Sequence, residues 1–135
     1  MRSGRGRGCD TRAMETTLYE RVGRDWFFAL VERFYVGVAA DPLLRPMYPD
    51  DLEPGKEHLA LFLVQYWGGP PEYSQLRGHP RLRRRHMEFP IDDTARLAWF
   101  RHMTEAVRAG DLSPSDETEV LTYFESASRS LVNQL

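Results

Sequence analysis

An all-α fold follows from three features of this chain of 135 residues. Apolar residues recur at helical spacing in every long segment, and capping residues stand where those segments begin. No stretch of credible length alternates as a β-strand would. A chain of this size encloses a single core, so one domain is expected over residues 14–135.

The elements can be justified in order. Thr17-Leu18-Tyr19-Glu20 has the spacing of a capping box and opens a short helix that stops at Gly23. Phe27, Leu30, Val31, Phe34, Tyr35 and Val38 then form the buried stripe of a long amphipathic helix, with Tyr35 on its inner face. Asp41-Pro42 predicts a cap and a one-turn helix toward Met47. Tyr48-Pro49-Asp50-Asp51 predicts a corner, because a residue before proline is pushed out of helical geometry. The next helix begins near Pro54 and cannot pass Gly68-Gly69-Pro70-Pro71. A loop is expected after that break, until His79-Pro80 restarts the chain for roughly two turns leading to His86. Asp92 caps a long helix running to about Arg108, and Gly110 ends it. Ser113 and Pro114 open the last helix, whose core face is Val120, Leu121, Phe124, Ala127, Ser128 and Leu131.

Composition narrows the function classes. A net charge of −2 gives no general case for nucleic acid, and runs such as WFFALV fall far short of a membrane span. Cys9 stands alone, which excludes an intrachain disulfide or a cysteine cluster and fits a reducing, cytoplasmic setting. Residues 1–13 are rich in Gly and Arg without an apolar stretch. They read as a disordered basic leader ahead of Met14, not as a secretory signal.

Four histidines, His58, His79, His86 and His102, compete as functional residues. His79 precedes proline and fits a turn, while His102 on the long helix reads as a packed or half-exposed side chain. His58 precedes His86 by 28 residues, which suits a pair of haem histidines. At about 100° per residue, however, it lies roughly 90° from the face shared by Leu59, Phe62, Leu63 and Tyr66, with Gly55 near the middle of that face. His58 therefore points to a rim. His86 closes the basic run Arg81-Leu82-Arg83-Arg84-Arg85, with Leu82 on its own face and arginines suited to the carboxylates of a haem edge. A single imidazole facing an apolar slot edged by phenols and an indole suits a five-coordinate haem iron. A solvated basic patch is the competing reading for Arg83 and Arg84.

These residues stand in motifs that resemble the group II, or O-type, truncated (2-on-2) haemoglobins. The motifs are RFY ending at Tyr35, Met47-Tyr48-Pro49, FLVQYWGGP from Phe62, GHPRLRRRH ending at His86, and Trp99, spread over about residues 17–132. The resemblance implies a two-over-two helical sandwich holding haem b, with a short proximal helix set in an extended loop. It implies His86 as the iron ligand and Tyr35, Tyr48 and Trp99 as distal donors that contact the ligand. Leu59 would lie over the iron, with Phe62 and Leu63 lining the pocket and Gly55 in the small-residue position. Tyr66, Leu82, Arg85 and Met103 complete the expected cofactor contacts. The chain departs from the family at Gly23-Arg24, where Gly-Gly is usual, and at His58, where Lys or Arg often reaches a propionate.

The implied partners are haem, O2 and other diatomic ligands, and a reductase whose identity the sequence does not give, in a monomer or homodimer. Reversible ligand binding ranks first, with no catalytic residue assigned. A haem-dependent peroxidase or NO-detoxifying dioxygenase ranks second, because the distal donors are not ordinary bases near neutral pH. A haem-free helical interaction module, with the aromatics merely filling a core, is the reading the residues favour without the family motifs. His86→Ala should abolish stable haem binding or leave iron that added imidazole rescues. An unchanged ferrous spectrum with unchanged ligand kinetics would make another histidine the ligand.

Overall fold

A computed structural model describes residues 16–77 and 91–130 of the chain. Among these residues it is all-helical: α1 (Leu18–Val22), α2 (Arg24–Ala40), a 3-10 turn (Arg45–Met47), α3 (Glu53–Tyr66), α4 (Glu72–Arg77), α5 (Asp93–Arg108) and α6 (Pro114–Ser130). His79, Leu82, Arg85, His86 and the basic leader lie outside the described residues.

The predicted caps form. Thr17 accepts from the Glu20 amide at 3.1 Å while Glu20 accepts from the Thr17 amide at 2.9 Å, closing the capping box. Asp92 caps α5 through the Ala95 amide at 2.9 Å, and Ser113 caps α6 through the Asp116 amide at 3.2 Å. Gly23 ends α1 at φ +85°, and α2 starts at the next residue, Arg24. One residue in a conformation that suits glycine thus makes the turn without the usual second glycine.

Helix α2 organises the layers. It packs on α3 and on α5, while α5 packs on α6. Trp67, just past α3, meets Tyr123 and Phe124 of α6, so the pair α2/α3 covers the pair α5/α6. All six stripe residues of α2 are buried, from Phe27 to Val38. The crossing of α2 over α5 is tight at Gly37, where a Cβ would overlap the His102 ring, with Cγ at 3.0 Å.

Three expectations change. The stretch after Gly68-Gly69-Pro70-Pro71 is not simply loop, because α4 forms there with Pro71 at its start. Proline ends one helix but also suits the first turn of another, and Glu72 favours that turn. Gln65 then pins α4 to α3, donating to the Ser74 hydroxyl at 2.8 Å and accepting from its amide at 2.9 Å. The turn after Asp41 opens as expected with an α-type bond, Arg45 N–H to Asp41 C=O at 2.8 Å, but then tightens, bonding Met47 N–H to Leu44 C=O and Tyr48 N–H to Arg45 C=O. Finally, the inner face of α3 is broader than one stripe. Ala60 to Val64 are all buried, Leu59 is half-buried and Tyr66 is half-exposed, since neighbours press on α3 from more than one side. On α6, Val120, Phe124 and Ser128 are buried, Leu121 and Ala127 only partly, and Leu131 lies outside the described residues.

Gly37→Ala should lower the urea midpoint even though alanine raises helix propensity by about 1 kcal/mol. Forcing the His102 ring aside costs about 1–3 kcal/mol, as overpacking generally does. A variant more stable than the parent would show that the crossing has slack.

Candidate functional site

The Tyr35–Tyr48–Trp99 group is built from three elements. Tyr35 comes from the inner face of α2 and is 6% exposed. Tyr48 stands at the corner after the 3-10 turn, in the extended conformation expected before Pro49. Trp99 comes from α5, partly buried, edge-on to Phe34 at 5.5 Å and to Phe124 at 6.0 Å. The Tyr35 and Tyr48 rings meet edge to face, with centroids 5.7 Å apart.

The corner carrying Tyr48 is fastened by a residue that the sequence reading did not single out. The Arg45 guanidinium donates to the carbonyls of Tyr48 (3.3 Å), Pro49 (3.0 Å) and Asp50 (3.0 Å). Arginine carries five donors in a rigid fork, which suits several carbonyls at once. A second fastening runs from α5. His102 Nε2 lies 2.7 Å from Asp41 Oδ2, and Asp41 also accepts from the Leu43 amide at 2.8 Å. The His102 bond first, and the Leu43 amide second, hold the Asp41 carboxyl below its usual pKa. Arg101 adds a longer contact to Asp41 at 3.5 Å. Trp99 and His102 sit three residues apart on α5, so one carboxylate ties the indole's helix to the phenol's corner.

Burial decides the protonation of the phenols. It pushes Tyr35 up to about 12, with Lys56 pulling weakly the other way. It pushes Tyr48 up further, helped by the neighbouring Tyr35, while hydrogen bonding from the Trp99 side chain opposes the shift. Tyr48 is only partly buried as a residue, yet its hydroxyl end is desolvated. Both side chains therefore remain O–H donors through the physiological range. The indole of Trp99 can only donate.

Gly55 of α3 closes this group from above. A Cβ there would stand 2.9 Å from the Tyr35 hydroxyl, so the phenol occupies space that any larger residue would claim. Phe62 and Leu63 are buried in the same core, and Met103 is fully buried. Leu59 and His58 are each half-buried. Tyr66 stands apart from the group. It is 52% exposed and packs on Phe62 at 6.2 Å and Tyr123 at 4.3 Å, with no ring contact to Tyr35, Tyr48 or Trp99. A glycine cradle over neutral phenol and indole donors is chemistry that fits the distal side of a haem.

The comparisons agree with that class of protein, a helical globin. Residues 17–133 match the model of a family described as "Bacterial-like globin". The chain is similar to a group 2 truncated haemoglobin of Bacillus subtilis, 39% identical over 116 residues that cover 86% of this chain and 88% of the relative. A solved haemoglobin from the thermophilic phototrophic bacterium Chloroflexus aurantiacus is 46% identical with a TM-score of 0.87, covering 89% of this chain and 100% of that one. The solved truncated oxygen-avid haemoglobin from Bacillus subtilis is 37% identical with a TM-score of 0.83, covering 87% of this chain and 100% of that one. The chain belongs to the bacterial-like globins as a group II truncated haemoglobin, with haem b as its cofactor.

The raised phenols yield a pH test. A raised folded-state value means stability that is full below the ordinary phenol range near 10 and lost as pH rises through the folded value. Tyr35→Phe and Tyr48→Phe should leave the phenolate absorbance that develops below about pH 11 equal to that of the parent. Loss of an early-ionising phenol in either variant would show that the hydroxyl is solvated.

Proposed function

We propose that this globin binds O2 and other diatomic ligands reversibly, with His86 holding the haem iron and Tyr35, Tyr48 and Trp99 donating hydrogen bonds to the ligand. Haem b supplies an iron able to take a diatomic ligand opposite its histidine. The observation that carries the reading is the pair of phenols kept neutral by burial beside an indole that can only donate. A ligand gathering partial negative charge is stabilised by such donors. Each net hydrogen bond is worth about 1 kcal/mol, and somewhat more toward a charged acceptor. The oxygen-avid relative from Bacillus subtilis supports the same ligand class.

The two tyrosines differ in their roles. Tyr35 is fixed by packing, between Phe34 at 5.5 Å and the backbone of Gly55. Tyr48 is fixed by hydrogen bonding, through Arg45 at its corner and Trp99 at its hydroxyl. Trp99 then orients Tyr48, and Tyr48 is free to donate onward. Burial keeps both phenols protonated near neutral pH, so neither supplies the base that a peroxidase needs beside the iron, which favours ligand binding. His58 on the rim would give a pH-dependent contact to a propionate, helping to retain haem without reaching the iron. Among the described residues no helix is long and apolar enough to cross a membrane. A cytoplasmic setting, with a reductase keeping the iron ferrous, completes the proposal.

Trp99→Phe keeps most of the apolar volume but removes the indole donor. O2 dissociation should accelerate about tenfold or more, equivalent to about 1.4 kcal/mol. Carbon monoxide, which gathers less charge, should respond less. Stopped-flow ligand displacement measures both rates, and an O2 off-rate equal to the parent's would reduce Trp99 to a packing residue.

A further inference from the structure

Asp41 holds the following turn at more than one point. Its Oδ1 accepts from the Leu43 amide at 2.8 Å, and its backbone carbonyl accepts from the Arg45 amide at 2.8 Å. Arg45 in turn collects the carbonyls of the Tyr48 corner. Leu44, 2% exposed, plugs the middle of the turn into the core. The segment from Asp41 to Tyr48 is therefore stiff, and both of its ends meet the same helix. Asp41 meets α5 through His102, and Tyr48 meets it through Trp99. Bonds leave α5, pass through the turn and return to α5, which closes a circuit.

Two anchors on one helix fix more than a distance. Positions 99 and 102 of α5 are separated by about 4.5 Å along the axis and about 60° around it, a spacing set by helix geometry. A turn tied only at Trp99 could pivot about that bond, whereas a second tie fixes its angle as well. The angle matters because hydrogen bonds weaken steeply with misalignment. The second tie is well seated. Asp41 is held below its usual pKa and so remains a carboxylate, which can only accept. His102 Nε2 therefore carries the hydrogen of the 2.7 Å bond, while the Nδ1 edge of the ring rests against Gly37. Each of the two side chains is 11% exposed. Arg101 reaches the same oxygen at 3.5 Å, but its side chain is 58% exposed and water competes for it.

We propose that Asp41 and His102 are positioning residues for O2 retention: their bond fixes the angle of the turn, so that the Tyr48 hydroxyl stays aligned between Trp99 and the bound ligand. The ligand half rests on the function proposed above, while the alignment of Tyr48 with Trp99 concerns only this chain's own side chains. With the bond gone the turn keeps one anchor on α5, and the Tyr48 hydroxyl swings out to water. O2, which gathers charge and depends on donors, then loses more than carbon monoxide does.

The purified chain without haem tests the alignment. His102→Leu removes the donor and keeps an apolar side chain against Gly37, whereas His102→Gln retains an N–H with the reach of Nε2. Burial raises the Tyr48 phenol in the parent, so it contributes no phenolate absorbance below about pH 11. In His102→Leu that absorbance should grow by one phenol, and the growth should vanish when Tyr48→Phe is added. His102→Gln should keep the parent's titration. Ser113→Ala removes the α6 cap, lowering the thermal melt without touching the circuit, and should also leave the titration as it was. Should the leucine variant not fold, His102→Asn, whose amide falls short of Asp41, gives the same reading. A titration equal to the parent's, a growth that persists with Tyr48→Phe, or an equal growth in Ser113→Ala would overturn the positioning role.

The haem-loaded protein tests the consequence. His102→Leu should speed O2 dissociation about fivefold and carbon monoxide dissociation less, and His102→Gln should restore both rates. In a Tyr48→Phe background the leucine substitution should add nothing, because both changes act on one hydroxyl. An equal acceleration in that background would mean that His102 acts elsewhere in the pocket, and the proposal would fall. If Tyr48→Phe by itself left O2 dissociation unchanged, the donor role of Tyr48 would be refuted, while the titration would still decide the alignment.

Discussion

Close approach to helix α2 on two sides is the constraint on which the rest of this structure depends. α2 packs on both α3 and α5, and at each contact a glycine replaces a side chain that would not fit. Gly37 of α2 lies against the His102 ring, and Gly55 of α3 lies above the Tyr35 hydroxyl. The first contact lets α5 come near enough for His102 to reach Asp41. The second lets a phenol stand where a helix would otherwise present a methyl group. Both the scaffold and the donor group therefore rest on missing Cβ atoms, and dense packing makes such positions unforgiving.

Most local structure was legible in the sequence because it is set by neighbours in the chain. The capping box at Thr17, the α2 stripe, the Tyr48-Pro49 corner and the Asp92 and Ser113 caps all depend on residues within a turn or two. What was missed depends on distant partners. Helix α4 is too short to be stable alone and is held by Gln65 across the Gly-Gly-Pro-Pro break. Arg45 gave no signal, since an exposed-looking arginine in a turn does not advertise which carbonyls it will collect. His102 read as an ordinary packed histidine, and its tie to Asp41 spans 61 residues.

The donor group was legible in part. Tyr35 followed from helical spacing and Tyr48 from its proline, whereas their meeting with Trp99 came from the family motifs and not from periodicity. Tyr66 shows the limit of face arguments. It shares the α3 stripe by spacing, but it stands at the helix end, where the covering elements stop, and it turns to Tyr123 and solvent. A helical wheel carries no information about where along its length a helix ceases to be covered. The salt bridges that join distant segments, such as Arg21 to Asp116 at 2.9 Å and Arg24 to Glu72 at 2.9 Å, add little by comparison. Partly exposed pairs of this kind are typically worth about 0–1 kcal/mol.

Asp41 ends α2, shapes the following turn through Leu43 and receives His102, three tasks for one short carboxylate. These tasks link its permissible replacements to positions far away in the chain. A methyl group at position 37 would demand a smaller side chain at 102, and that would cost the carboxylate its 2.7 Å contact to the ring, leaving it the Leu43 amide and Arg101. Among related chains, positions 37, 41 and 102 should therefore drift as a set, each tolerating change only when the other two have already moved.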